Sequence, residues 1–112
     1  MESKKPETNR RVTPRKVLRR AAIVTPPDGV ERSVSTWDLG LDGMSVLSSR
    51  PISPGTKCMV RFEVPLRGSA VDVSAQVKSV YCSFMGADGF KVGMVFIHLD
   101  ASSATAISDF AS

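Results

Sequence analysis

Two short stretches hold residue types at spacings that chemistry can use. Residues 36–46 read TWDLGLDGMSV, where Asp38, Gly40, Asp42 and Gly43 interrupt a segment otherwise suited to a strand. Two carboxylates and two glycines within six residues admit three readings: a plain hairpin turn, a calcium loop, or a turn that binds a ligand. The plain turn has an ordinary steric basis, because Asp and Gly end strands and Gly accepts positive φ. The calcium reading fits poorly. An EF-hand loop places oxygen ligands at its first, third, fifth and twelfth positions and Gly at its sixth. Asp38, Asp42 and Gly43 match the first, fifth and sixth, but Gly40 brings no ligand. Ser49, at the twelfth, cannot supply the bidentate carboxylate, and the flanks are strand-like rather than helical.

The second stretch is the N-terminal arm. In residues 1–20, Lys4, Lys5, Arg10, Arg11, Arg15, Lys16, Arg19 and Arg20 stand against Glu2 and Glu7, a balance of 8 − 2 = +6. The whole chain carries +4, so the remainder sums to +4 − 6 = −2. All the excess positive charge therefore sits in the arm. A local basic block recruits an anion, whether phosphate, nucleic acid or an acidic membrane, although such a run is also the usual solvated face of a terminus.

The totals bound the rest. A chain of 112 residues is one domain, large enough for a single modest core. Hydrophobic content of 42% and charged content of 23% are ordinary for a globular protein. No apolar run approaches the roughly 20 residues that span a bilayer, so no membrane span is expected. The opening MESKKPETNRR lacks the apolar stretch of a secretory signal. Cys58 and Cys82 have no CxxC spacing, and His98 is the single histidine, which argues against zinc. Two thiols in a chain without a signal read as buried and reduced, hence a cytoplasmic protein.

The elements that must position these residues follow from alternation. Residues 1–9 read as a disordered tail. VLRRAAIVT at 17–25 is a first strand, PPDG at 26–29 a turn and VERSVSTW a second strand. MSVLSS is a third, ended by the prolines and Gly55 of RPISPG. In KCMVRFEV, Cys58, Val60, Phe62 and Val64 share one face. In AVDVSAQVKSVY, Val71, Val73, Ala75, Val77 and Tyr81 do the same, and GFKVGMVFI gives a sixth strand. DASSATAISDFAS is the helical stretch, with Asp100 or Ser102 as cap and Ser103, Ile107 and Phe110 on one face. Six short strands and one helix predict a mainly all-β chain, a small antiparallel barrel closed or nearly closed, with a C-terminal helix covering an end or seam.

The two stretches together resemble the PilZ domain family. Arg11 and Arg15 form RxxxR ahead of the first strand, and Asp38, Gly40 and Gly43 form DxGxxG at the end of the second. The family signature is RxxxR followed by [DN]xSxxG, and the resemblance runs from residue 10 to about 110, which makes residues 10–112 a single PilZ domain. It implies a six-stranded β-barrel and a bacterial receptor for cyclic di-GMP. That ligand carries two phosphodiester charges and two guanines. Arginine offers a planar fork to phosphate oxygens or to the O6/N7 edge of guanine. The resemblance assigns Arg11 and Arg15 to the ligand from a flexible basic arm, and Asp38 to the N1 and N2 donors of a guanine. Gly43 would allow close backbone approach. Arg10 resembles the extra arginine of members that bind an intercalated ligand dimer, which implies two ligands per chain.

One departure stands out. Gly40 replaces the family Ser, whose lost hydrogen bond should cost about 0.5–1.5 kcal/mol, up to roughly tenfold in affinity. Weakened binding is the expectation. A minority of the family has lost the ligand and acts as a protein adaptor, so an adaptor working by protein contact alone is the second function. A small barrel for single-stranded nucleic acid is the third, and it fits worst, since such barrels want exposed aromatics and this chain has 6%. Trp37 reads as core. Serines without a base offer no nucleophile, so no enzyme is expected. Arg19 or Arg20 adds positive field to the site or is simply solvated. The effector protein, in motility, biofilm, secretion or polysaccharide synthesis, is left open.

Overall fold

The computed structural model describes residues 14–112. Seven strands and one helix appear in chain order: β1 (Arg15–Val17), β2 (Ala21–Thr25), β3 (Arg32–Gly40), β4 (Gly43–Ser48), β5 (Lys57–Leu66), β6 (Ser69–Phe84), β7 (Phe90–Leu99) and α1 (Ala101–Ala111). A single 3-10 turn, Gly86–Asp88, joins β6 to β7. Antiparallel pairing runs β3–β2–β5–β6–β7–β4, and β4 pairs back onto β3. The six strands therefore close into a barrel, and a closed sheet leaves few edges unpaired. The expected tail over residues 1–9 lies outside the described residues.

Alternation builds the interior. On β5, Cys58, Val60, Phe62 and Val64 are buried while Lys57, Met59, Arg61 and Glu63 face out. Val24, Leu39, Met44, Val46, Val60, Val64, Val77 and Val92 are completely enclosed, each worth about 1.5–3 kcal/mol of burial. Helix α1 lays Ser103, Ala106 and Ile107 against this core, with Phe110 half-buried. Asp100 caps it, its carboxylate accepting from the Ser103 N–H at 2.7 Å.

Two features differ from the sequence reading. The expected first strand is broken at Leu18–Arg20, and its first part becomes the separate strand β1. Both parts pair with β3: Arg15–Val17 opposite Asp38–Gly40, and Ala21–Val24 opposite Arg32–Ser35. The buried Thr36 hydroxyl fills the break, accepting from the Arg20 N–H at 2.8 Å and donating to the Leu18 carbonyl. Tyr81 does not share the inward face of β6. Ser79 continues the inward face of Val73, Ala75 and Val77, and a register shift between Ser79 and Tyr81 then changes the phase of alternation. The Ser79 hydroxyl donates to the Ser53 carbonyl at 2.6 Å and accepts from the Thr56 N–H at 3.0 Å. Tyr81 turns outward over Gly93, where a Cβ would stand 2.0 Å from its ring. Of the two free thiols, Cys58 is buried and Cys82 only half-buried.

Candidate functional site

The opening stretch is a strand end, not a loop. β3 continues through Asp38 and Gly40, Leu41 and Asp42 make the bend, and Gly43 already belongs to β4. Neither Gly40 nor Gly43 has positive φ, so the conformational freedom expected of them is not what these positions use. Both serve close approach. A Cβ on Gly43 would meet the Met94 carbonyl oxygen at 2.1 Å, so this glycine lets β4 lie against β7. A Cβ on Gly40 would meet the Pro14 carbonyl oxygen at 2.5 Å and the Arg15 Cγ at 2.9 Å. Gly40 thus makes room for β1 and for the Arg15 stem that crosses it, since Arg15 sits directly opposite Gly40 in the ladder.

That placement carries Arg15 onto two carboxylates. Its Nη1 donates to Asp38 Oδ1 at 3.2 Å, its Nε to Asp42 Oδ1 at 3.2 Å and its Nη2 to Asp42 Oδ2 at 3.3 Å. The Asp42 contact is bidentate, the planar fork that arginine offers to carboxylate and phosphate alike. Burial alone would lower the Arg15 proton affinity. The hydrogen bond and charge of Asp42, then the charge and hydrogen bond of Asp38, outweigh it and hold the guanidinium above its ordinary range. All three side chains keep contact with solvent, at 30% exposure for Arg15, 23% for Asp38 and 48% for Asp42. The guanidinium is therefore held in place yet reachable by an anion from outside.

A bulge decides what lies beside this cluster. The register of β3 on β4 shifts between Thr36 and Asp38. Thr36 and Leu39 point inward and are fully buried, so Trp37 and Asp38 both turn outward, neighbours on one surface. Trp37 is accordingly not core, contrary to the sequence reading. It is half-buried under two cations, with the Arg19 guanidinium carbon 4.1 Å and the Lys91 Nζ 5.1 Å from its ring centroid. Arg20 instead faces Glu63 at 3.9 Å. Tyr81, on β6, holds its hydroxyl 3.3 Å from Ser45 Oγ.

Of the six residues proposed from sequence, the structure brings together Arg15, Asp38, Gly40 and Gly43 at the β3–β4 corner. Arg10 and Arg11 lie outside the described residues. Asp42 was missed as a site residue, because it occupies a variable position of DxGxxG; its signal was the second carboxylate of the stretch itself. A surface depression of about 660 Å³ lies further along, between Ser33–Ser35, Leu47–Ser49 and the Phe84–Phe90 turn. Asp88 is the charged residue among its described lining, which brings no cation to an anion.

Comparison with solved structures decides the architecture. The chain superimposes on the Bacillus subtilis inhibitor of motility MotI/DgrA with a TM-score of 0.81 at 11% identity, covering 96% of this chain and 55% of that one. It superimposes on the Borreliella burgdorferi PlzA protein in complex with cyclic di-GMP with a TM-score of 0.70 at 18% identity, covering 93% and 42%. The PilZ domain of CeSA from a cellulose-synthesizing bacterium gives 0.58 at 18% identity, covering 83% and 89%. This chain has the PilZ fold. It spans about half the length of MotI/DgrA and PlzA, whereas it matches most of the CeSA PilZ domain. No protein-family model and no curated protein matches the sequence. Among the described residues, no helix is long and apolar enough to cross a membrane. At this level of identity the PilZ comparison concerns the fold, and the chemistry rests on the β3–β4 corner.

Proposed function

We propose that this chain is a cyclic di-GMP receptor that acts by binding and carries no catalysis of its own. One observation carries the reading: β1 presents Arg15 at the outward-facing Asp38 of β3, on a fold that in PlzA is seen with this ligand. A phosphodiester takes the arginine fork, and a guanine edge offers N–H donors to the Asp38 carboxylate, which would repel a phosphate. Arg10 and Arg11 join Arg15 on the ligand, and Arg10 carries the idea of two ligands per chain. Gly40 and Gly43 act through backbone approach. Binding draws the basic arm onto the barrel and creates or hides a surface for an effector protein, in the cytoplasm, where free thiols such as Cys58 and Cys82 persist.

A specific observation favours a second reading, an adaptor that works by protein contact alone. Arg15 is already satisfied by Asp38 and Asp42, and Gly40 supplies no hydroxyl. Calorimetric titration of cyclic di-GMP into the full chain, with Arg15→Ala beside it, separates the two. The receptor reading expects saturable heat that the substitution abolishes, with ligands per chain read from the same curve. Absence of heat at high ligand concentration supports the adaptor.

A further inference from the structure

Three side chains next to the Arg15 cluster have no role in the reading so far: Arg19, Trp37 and Lys91. Each reaches its place through alternation, a local irregularity or a cross-strand step. The break at Leu18–Arg20, closed by Thr36, puts Arg19 outside the ladder and over the indole. Trp37 alternates outward after the buried Thr36, and the bulge turns Asp38 outward beside it. Lys91 on β7 pairs with Leu47 of β4 and reaches the same ring across that strand. Among the described residues, neither Arg19 nor Lys91 forms an ion pair with a carboxylate.

Two cations on one ring each gain from the face of the indole, but they repel one another. An anion that takes donors from both relieves that repulsion. We propose that Arg19 and Lys91, carried on the Trp37 ring, bind one phosphodiester group of a cyclic dinucleotide beside the indole. This rests on the receptor reading above, and it adds three residues to that surface. Asp38 selects a guanine edge, while its neighbour Trp37 carries the pair of cations that holds the adjoining phosphate. Arginine supplies the fork and lysine the point charge.

Trp37 is the chain's single tryptophan, so its emission reports on this cluster alone. Cyclic di-GMP is titrated into the full chain while heat and tryptophan emission are followed in parallel, with inorganic phosphate in a separate arm. The expected result is an emission change that saturates with the heat. Arg19→Gln with Lys91→Gln should weaken binding by about tenfold or more, as loss of two charge-assisted contacts implies. The charge-keeping pair Arg19→Lys and Lys91→Arg should recover much of it. All three positions lie at the surface or half-buried, and circular dichroism of each variant verifies that the barrel is retained. Heat with unchanged emission, and a glutamine variant that binds as wild type does, would overturn the proposal and leave the receptor reading standing. Absence of heat overturns both. Inorganic phosphate that saturates the emission change as tightly as the dinucleotide does would mean a free-phosphate site, and overturns the assignment to a dinucleotide.

Discussion

Replacing Asp42 by Asn should tighten cyclic di-GMP binding, because Asp42 holds Arg15 against the approach of an anion. The substitution keeps the shape of the side chain and removes its charge. In the free chain the Asp42 carboxylate takes two of the three Arg15 hydrogen bonds, at 3.2 and 3.3 Å. A phosphodiester that takes the same fork must displace that pair. The partners are 30% and 48% exposed, so the pair falls among solvent-screened ion pairs worth about 0.2–1 kcal/mol. Repulsion between Asp42 and the incoming phosphate acts in the same direction and is likewise screened by solvent. The sum corresponds to a gain of roughly twofold to fivefold in affinity. Calorimetric titration of wild type and Asp42→Asn at matched ionic strength measures it, and the gain should shrink as salt is raised. Unchanged affinity would mean that Arg15 keeps Asp42 in the complex. Weaker binding would mean that Asp42 orients the arginine for the ligand, and either result refutes the displacement argument.

Gly40→Ser introduces the serine of the PilZ signature but should not raise affinity, because its Cβ meets the Pro14 carbonyl at 2.5 Å; hydrogen exchange should instead show faster exchange of the β1 amides. Thr36→Val removes a buried hydroxyl that serves both Leu18 and Arg20, and should cost about 1–3 kcal/mol in chemical denaturation. Asp100 is held below the ordinary carboxylate range, first by the Ser103 backbone N–H and then by the Ser102 hydroxyl. A carboxylate depressed in the fold stabilises it fully above the unfolded value of about 3.9, and that contribution is lost as pH falls through the lower folded value. Acid should therefore loosen α1 while the barrel persists, visible as selective loss of helical amide signals on titration below that value.

Much of the barrel was legible because its inward faces keep strict period-two alternation, as Cys58, Val60, Phe62 and Val64 show on β5. One place where reading failed is where a residue breaks that period. Tyr81 was placed inward because nothing in AVDVSAQVKSVY marks the shift at Ser79, whose buried hydroxyl is satisfied by a loop distant in sequence. Trp37 was placed in the core on the general preference of tryptophan for burial, whereas alternation after Val34 and Thr36 points it outward, and the bulge at Thr36–Asp38 brings Asp38 out beside it. The split of the first strand follows from Thr36 bonding two backbone groups of the neighbouring segment, a tertiary contact that local propensity does not contain. At the candidate site, residue types singled out the β3–β4 corner. What spacing did not convey was that Gly40 and Gly43 are there for close packing, and that Asp42 grips Arg15.

The most direct test of the central claim is amide chemical-shift mapping of the full chain as cyclic di-GMP is added. Binding at the β3–β4 corner predicts that the largest changes fall on Arg15, on Trp37 to Gly43 and on the N-terminal arm, with the β5–β6 hairpin unaffected. Changes centred on the depression beside the Phe84–Phe90 turn, or a spectrum that does not move, would contradict it.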